Sequence, residues 1–116
     1  MPMGSSNAFG PAGLTLKAWV QFVGSTGAII KSANVASVVR SATGAYTITF
    51  TNAMATTTYV VRMEGEHDVA NKGISLVLTV AAGKLVGSCQ IETHKVDGGS
   101  AAATRDMSGP VVEFWE

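Results

Sequence analysis

The chain has 116 residues, which is short enough for a single domain. Its eight basic residues balance eight acidic ones, and only 14% of the residues are charged. This balance argues against a nucleic-acid-binding protein, which carries a basic face, and against a polybasic membrane anchor. So few charges also give weak protection against self-association, so we expect neighbouring copies of the chain to cover part of the apolar surface.

Residues 1–14 predict an arm or linker rather than a regular element. They contain two Pro and three Gly residues, which interrupt helices and strands. The segment is either a flexible leader or an arm that docks on another protein, with Phe9 and Leu14 as its anchors. It has no apolar region typical of a secretory signal, so we expect synthesis in the cytoplasm.

From Thr15 onwards the pattern predicts short strands separated by turns. Residues 18–22 alternate, with the apolar side chains on one face and Trp19 and Gln21 on the other. A Gly-containing turn at 24–27 and an apolar run at 28–32 complete a hairpin over residues 17–32. Residues 35–40 form a further short segment.

The clearest alternation lies in residues 45–51. Tyr46, Ile48 and Phe50 share one face, and three Thr residues share the other, as in a strand with one buried face. The uncharged stretch over residues 41–61 is too rich in Thr for a membrane span, so we expect no membrane insertion.

The second half of the chain continues the strand pattern. Strands are predicted over residues 59–64, 74–80, 85–96 and 111–115, with a turn at 81–84 and a long loop at 98–110. Cys89 is the only cysteine and lies in an alternating segment, so we expect a small buried side chain and no disulfide or thiolate zinc site.

These elements together predict the fold class. No stretch places apolar residues at helical spacing over ten or more residues. About eight short strands with frequent turns predict an all-β fold, an antiparallel β-sandwich formed by residues 15–116 as a single domain.

Catalytic and metal-binding patterns are weak in this sequence. His67 and His94 lie on different predicted elements, and the chain has no nucleophile elbow, phosphate-binding loop or dinucleotide fingerprint. The ionisable residues Glu64, Glu66, His67 and Asp68 either bind a divalent cation or form a solvated loop, and the solvated loop is favoured. Glycosidases need two carboxylates that lie close together in the folded protein, and the sequence neither excludes nor favours such a pair. We expect no enzymatic activity, no cofactor and no metal site.

The two Trp residues have two possible roles. Each can stack on a sugar ring or a base, or belong to the core or a subunit contact, and the second role is the more common one in a small protein. With Phe114, Trp115 makes the C-terminal segment strongly apolar. We therefore predict that Trp19, Phe114 and Trp115 contact a neighbouring copy.

Several motifs follow one another in the first half of the chain. Residues 17–24 read Lys-Ala-Trp-Val-Gln-Phe-Val-Gly, residues 34–38 read Asn-Val-Ala-Ser-Val, and residues 43–50 read Thr-Gly-Ala-Tyr-Thr-Ile-Thr-Phe, followed by Ala-Met at 53–54 and by Tyr59. Residues 17–64 thereby resemble a domain common in bacteriophage tail fibres and other phage appendage proteins. That family usually has Asn or Asp where this chain has Val23, and no motif is recognised beyond residue 64.

The resemblance implies a virion protein that acts as a homotrimeric, β-structured fibre tip. Such a tip touches bacterial surface polysaccharide or an outer-membrane protein and does not bind nucleic acid. We predict that the loops at 64–72 and 97–106 make this contact, because they hold much of the charge and loops tolerate variation. The predicted receptor-binding residues are Glu66, His67, Asp68, Asn71, Lys72, Asp97, Arg105 and Asp106.

Two other functions are weighed against this one. The alternative is a structural virion protein, such as a capsid decoration, fibre base or connector, that docks on other virion proteins through residues 1–14. A polysaccharide depolymerase is the least favoured, since such enzymes usually need a larger groove with paired carboxylates.

Overall fold

The computed structural model describes residues 13–66, 74–96, 103–104, 106 and 108–116. Within these ranges the chain forms nine strands and no helix, which confirms the predicted all-β class. The strands are β1 (Leu16–Phe22), β2 (Ile29–Ala33), β3 (Val35–Ala42), β4 (Ala45–Phe50), β5 (Val60–Glu66), β6 (Ile74–Lys84), β7 (Ser88–Val96), β8 (Ala103–Thr104) and β9 (Ser108–Trp115). The predicted arm lies outside the described residues, except for Gly13 and Leu14.

The strands form two antiparallel sheets. The first sheet has the order β2–β1–β9–β5, and the second has the order β3–β4–β7–β6, with β8 paired to β7. Buried side chains of β1 and β9 join those of β4 and β7 in one hydrophobic core. The arrangement is therefore β-sandwich-like.

Strand alternation decides which side chains enter this core. In β1 every second residue from Ala18 to Phe22 is buried, whereas Trp19 and Gln21 lie on the other face of the sheet. Strand β4 repeats the pattern with three buried side chains, and Cys89 is fully buried in β7. The predicted faces of these strands are confirmed.

Three aromatic rings fill the core where β4 and β9 face each other. The ring centroids of Phe50 and Phe114 are 4.8 Å apart, and those of Phe50 and Tyr59 are 5.8 Å apart, both in edge-to-face geometry. Each pair of this kind adds about 0.5–1.5 kcal/mol to the free energy gained from burial alone. The cluster therefore packs one sheet against the other.

The β6–β7 hairpin differs from the prediction. The sequence predicted a turn at residues 81–84, but β6 continues to Lys84 and the chain turns at 85–87. A register shift between Thr79 and Lys84 takes up the extra residues. A Cβ on Gly83 would lie 2.6 Å from Gln90, so this glycine permits a close approach inside an irregular strand rather than a turn.

Asn34 forms the corner where the chain passes from the first sheet to the second. Its φ of 56° is positive, a conformation that Asn tolerates better than most residues. The side-chain amide donates hydrogen bonds to the carbonyls of Lys17 (3.1 Å) and Asn52 (3.0 Å). Its oxygen accepts one from the Asn52 N–H at 2.7 Å. One side chain thus joins β1, the corner and the loop after β4.

We expect Asn34→Ala to lower the free energy of unfolding by about 1–3 kcal/mol, because it removes these hydrogen bonds and strains the backbone. Asn34→Gly removes the same hydrogen bonds without the strain, so it should lie between Asn34→Ala and the wild type. Urea titration of the three proteins measures the difference. Equal stability of Asn34→Gly and the wild type would show that the amide contributes nothing.

Candidate functional site

One end of the molecule carries a network of hydrogen bonds around Asp106. Arg40 donates from Nε and Nη2 to the two carboxylate oxygens at 3.1 and 2.9 Å, and the Gly44 N–H donates to Oδ1 at 2.8 Å. The Tyr46 hydroxyl lies 2.9 Å from Oδ1 and 2.6 Å from the Gly24 carbonyl oxygen. We call these five residues the Asp106 network, and the end of the molecule that holds them the loop end.

The pKa shifts fix the charge state of this network. Burial acts to raise the pKa of Asp106, but the hydrogen bonds from Arg40, Gly44 and Tyr46 outweigh it and hold the pKa below its ordinary value. Burial, followed by the bond to the carboxylate, raises the pKa of the Tyr46 hydroxyl. At neutral pH the carboxylate is therefore ionised and the phenol keeps its single proton, which Asp106 and the Gly24 carbonyl share.

Two glycines allow the turns of the loop end to approach their neighbours. Gly44 has a φ of 68° in the β3–β4 turn, where its N–H points at Asp106. Gly27 has a φ of 83°, and a Cβ there would lie 3.2 Å from the Val38 carbonyl oxygen. The turn between β1 and β2 therefore lies against β3.

A shallow groove of about 310 Å³ opens beside the Asp106 network. Val23 and Ile30 form its apolar side and are 37% and 51% exposed. The polar side holds Asp106, whose side chain is 24% exposed, together with Ser25 and Ser108. We call this the loop-end groove; its lining is Val23, Gly24, Ser25, Ile30, Asp106, Ser108 and Gly109.

The loop-end groove offers a ligand two kinds of contact. Exposed aliphatic side chains can cover an apolar patch, and the carboxylate can accept hydrogen bonds from hydroxyl groups. Within the described part of the chain, Asp106 Oδ2 accepts a hydrogen bond from Arg40 Nη2, and Oδ1 accepts the other three. Since a carboxylate oxygen has two lone pairs, Oδ2 has room for a further donor.

A second polar surface lies on the outer face of the first sheet. Trp19, Glu113 and Arg62 are cross-strand partners in one row, and Trp115 Nε1 donates a hydrogen bond to Glu113 Oε1 at 3.2 Å. Trp19 is half-buried, whereas Trp115 is only 5% exposed and presents almost no free ring face. A depression of about 100 Å³ lies nearby, lined by Arg62, Met63, Glu64, Val111 and Glu113.

Only some of the predicted site residues lie in the described part of the chain. Asp106 lines the groove, and the backbone of Glu66 reaches the same end, where it pairs with Ser108. Phe114, predicted at a subunit contact, has no exposed surface in the single chain because its ring lies in the aromatic cluster. The residues that lie outside the described part of the chain are His67, Asp68, Asn71, Lys72, Asp97 and Arg105.

Sequence reasoning missed most of the Asp106 network. Tyr46 was assigned to the core, which is correct for its ring, but the pattern does not show that its hydroxyl reaches Asp106. Arg40 and Asp106 are 66 residues apart, so no local spacing links them. The one available signal was a lone Arg at the end of a largely apolar segment.

Other candidate chemistry is limited in the described residues. His94 Nε2 lies 3.0 Å from Glu92 Oε1, on the face of β7 opposite Cys89, as the alternation predicted. Burial raises the pKa of the Cys89 thiol, which makes it a poor nucleophile at neutral pH. Over these same residues no group of three metal-ligating side chains comes together, and no helix is long and apolar enough to cross a membrane.

Comparison with known proteins gives no relative for this chain: no family model, curated protein or solved structure matches it. Function is therefore inferred from the loop-end groove and from the motifs in residues 17–64.

Proposed function

We propose that this protein is a non-catalytic adhesion module of a bacteriophage virion, a fibre tip that binds the bacterial host surface. The observation that carries the proposal is the loop-end groove, in which exposed aliphatic side chains face an ionised carboxylate and two Ser residues. Surface polysaccharide presents both apolar C–H faces and hydroxyl groups, and it fits this combination. An exposed polar segment of an outer-membrane protein fits it as well.

The motif residues that resemble the phage domain serve the scaffold. Asn34 forms the corner between the sheets, and Gly44 and Tyr46 belong to the Asp106 network. The groove is lined by Val23, where the chain departs from the family pattern, and by the motif residue Gly24. A fixed scaffold that carries variable loops is the usual arrangement of a binding protein.

A shallow groove of this size gives weak binding by itself, so assembly matters. In a homotrimer, three loop-end grooves would face the cell together, and the second and third contacts would form at high effective concentration. Many weak contacts of this kind hold a virion on a cell. The trimer is therefore part of the proposed function.

Ser25→Trp tests the groove directly. Ser25 is exposed in the turn after β1, so a bulky ring there should block the groove and leave the core intact. We expect adsorption of the labelled protein to a panel of bacterial strains to fall about tenfold or more, the effect of losing roughly 1.4 kcal/mol of binding free energy. Flow cytometry of the cells measures it.

The matched control is Thr57→Trp, also an exposed loop position, at the opposite end of the molecule beside Glu116. It should adsorb as the wild type does. Equal loss in both variants, or no loss in Ser25→Trp, would contradict binding through the groove. Release of soluble oligosaccharide from the cells by the wild type would contradict a non-catalytic role.

A structural virion protein is the second candidate, and one observation favours it. Leu85 and Val86 are exposed at the β6–β7 turn, at the end of the molecule where Thr15 and Glu116 pair through two backbone hydrogen bonds of 3.0 Å. An apolar tip there suits docking on another virion protein. If Leu85→Asp abolished co-purification with other virion proteins while the wild type failed to adsorb to any cell, this second function would replace the first.

A further inference from the structure

Over the described residues, the first sheet ends at β2 on one side and at β5 on the other. In the described part of the chain, β2 pairs only with β1, and β5 pairs only with β9. Ile29 and Ile30 on β2 and Val60 on β5 are all exposed. A free edge presents a row of unpaired N–H and C=O groups, which is a template for pairing with another strand.

One line of cross-strand partners carries opposite charges to these two edges. Lys31 is the partner of Gln21, Gln21 of Val111, and Val111 of Glu64. Cross-strand partners lie at the same height and on the same face of a sheet. An ammonium group therefore marks the β2 edge and a carboxylate marks the β5 edge, at equal height.

The strand directions also complement each other. Each strand of the β2–β1–β9–β5 sheet is antiparallel to its neighbour, so β2 and β5 run in opposite directions. When two copies stand side by side with their loop ends together, β2 of one copy faces β5 of the next in antiparallel orientation. This is the pairing that strands form most readily, and it brings Lys31 beside the partner's Glu64.

Irregularities limit the length of this contact. The β1–β2 register shifts next to Phe22, and the β5–β9 register shifts between Glu64 and Glu66, so both edges are irregular toward the loop end. Bulges bend an edge and interrupt pairing. The regular part of the contact is therefore residues 31–33 on one edge and residues 60–64 on the other.

We propose that the β5 edge of one copy of this chain pairs antiparallel with the β2 edge of a second copy, with Lys31 of one beside Glu64 of the other. The contact joins two different surfaces, so each copy can use both, and its repetition closes a ring when the rotation between neighbouring copies is a whole fraction of a full turn. The proposed contact between β5 and β2 does not depend on how many copies assemble or on what the loop-end groove binds. A ring of three is the assembly that the proposed function requires.

Disulfide trapping between two variants, each with one introduced cysteine on the surface, tests the contact. Directly opposed residues on antiparallel strands have Cβ atoms about 4.5–5.5 Å apart, close to what a disulfide needs. Under mild oxidation we expect a covalent dimer when Lys31→Cys is mixed with Glu64→Cys, and little or none from either variant alone. The double variant should give a covalently closed ring.

Two controls accompany this experiment. The wild type keeps its buried Cys89 and should not cross-link. Val39→Cys is 55% exposed on β3 of the second sheet and should not link to Lys31→Cys. Equal trapping with Val39→Cys, efficient trapping in Lys31→Cys alone, or no trapping in the mixture would overturn the proposal.

Charge reversal gives an independent readout by sedimentation equilibrium. Lys31→Glu should weaken assembly about tenfold, and the double variant Lys31→Glu/Glu64→Lys should recover it, because the opposite charges meet again. A wild type that stays monomeric at high concentration would overturn the proposal. If Ser25→Trp lowered adsorption but no disulfide-linked dimer formed, the β5–β2 contact would be rejected and the proposed function would stand. If the disulfide-linked dimer formed but the wild type did not adsorb to cells, the proposed function would be rejected and the contact would stand.

Discussion

Phe114→Ala is expected to lower the free energy of unfolding by about 3–5 kcal/mol, the range for removing a fully buried aromatic side chain. The ring is completely buried and lies 4.8 Å from the Phe50 centroid and 6.0 Å from that of Tyr59. Its removal leaves a cavity between the two sheets and ends two edge-to-face contacts at once. Because domains are stable by only about 5–15 kcal/mol, much of the total stability would be lost.

Chemical denaturation monitored by circular dichroism measures this loss. Val111→Ala is the matched control, since Val111 lies on the same strand but faces outward and is only half-buried. We expect it to cost less than about 1 kcal/mol. A Phe114→Ala protein as stable as this control would contradict the packing of the two sheets through the aromatic cluster.

Asp106→Ala is expected to lower the free energy of unfolding by about 2–3 kcal/mol, because hydrogen bonds to a charged group are the stronger ones. The carboxylate accepts four hydrogen bonds, from Arg40 Nε and Nη2, the Gly44 N–H and the Tyr46 hydroxyl. The Arg40 and Asp106 side chains are 28% and 24% exposed, so solvent screens part of the ion pair. Asp106→Asn keeps the size of the side chain, removes its charge and replaces one acceptor oxygen with an NH2 group that only donates.

The sign of the pH dependence follows from the lowered pKa of Asp106. The folded state holds the carboxylate ionised more firmly than the unfolded chain does, so the stabilisation is complete above the unfolded pKa of about 3.9. It is lost as the pH falls through the lower folded pKa. The stability difference between the wild type and Asp106→Asn should therefore be full at pH 7 and shrink below about pH 4. A difference as large at pH 2 as at pH 7 would contradict the role of the charge.

The strand faces could be predicted because alternation is local information. The buried positions of β1 and β4 follow from every second residue being apolar, and Cys89 follows the same rule in β7. The position of the β6–β7 turn could not be predicted, because glycine occurs both in turns and at irregular positions in strands, and the sequence does not show which of the two applies to Gly83. The close packing of Gln90 against Gly83 shows that this glycine lies inside an irregular strand.

The candidate site was harder to predict than the fold. Asp106 was singled out for its place in a charged loop, but its partners Arg40 and Tyr46 are 66 and 60 residues away along the chain. Such contacts depend on how the sheets stack, which no spacing in the sequence encodes. Val23 and Ile30 line the groove for the same reason, since the β1–β2 turn brings them beside a segment from the other end of the chain.

The central pair of the first sheet sets the order in which this protein acquires its structure. Leu16 in β1 pairs with Trp115 in β9, so the two middle strands come from opposite ends of the described sequence. A ribosome releases β9 last among these strands, and until then β1 has no strand to pair with on its β9 side. We therefore expect the first sheet to close only after β9 has been translated.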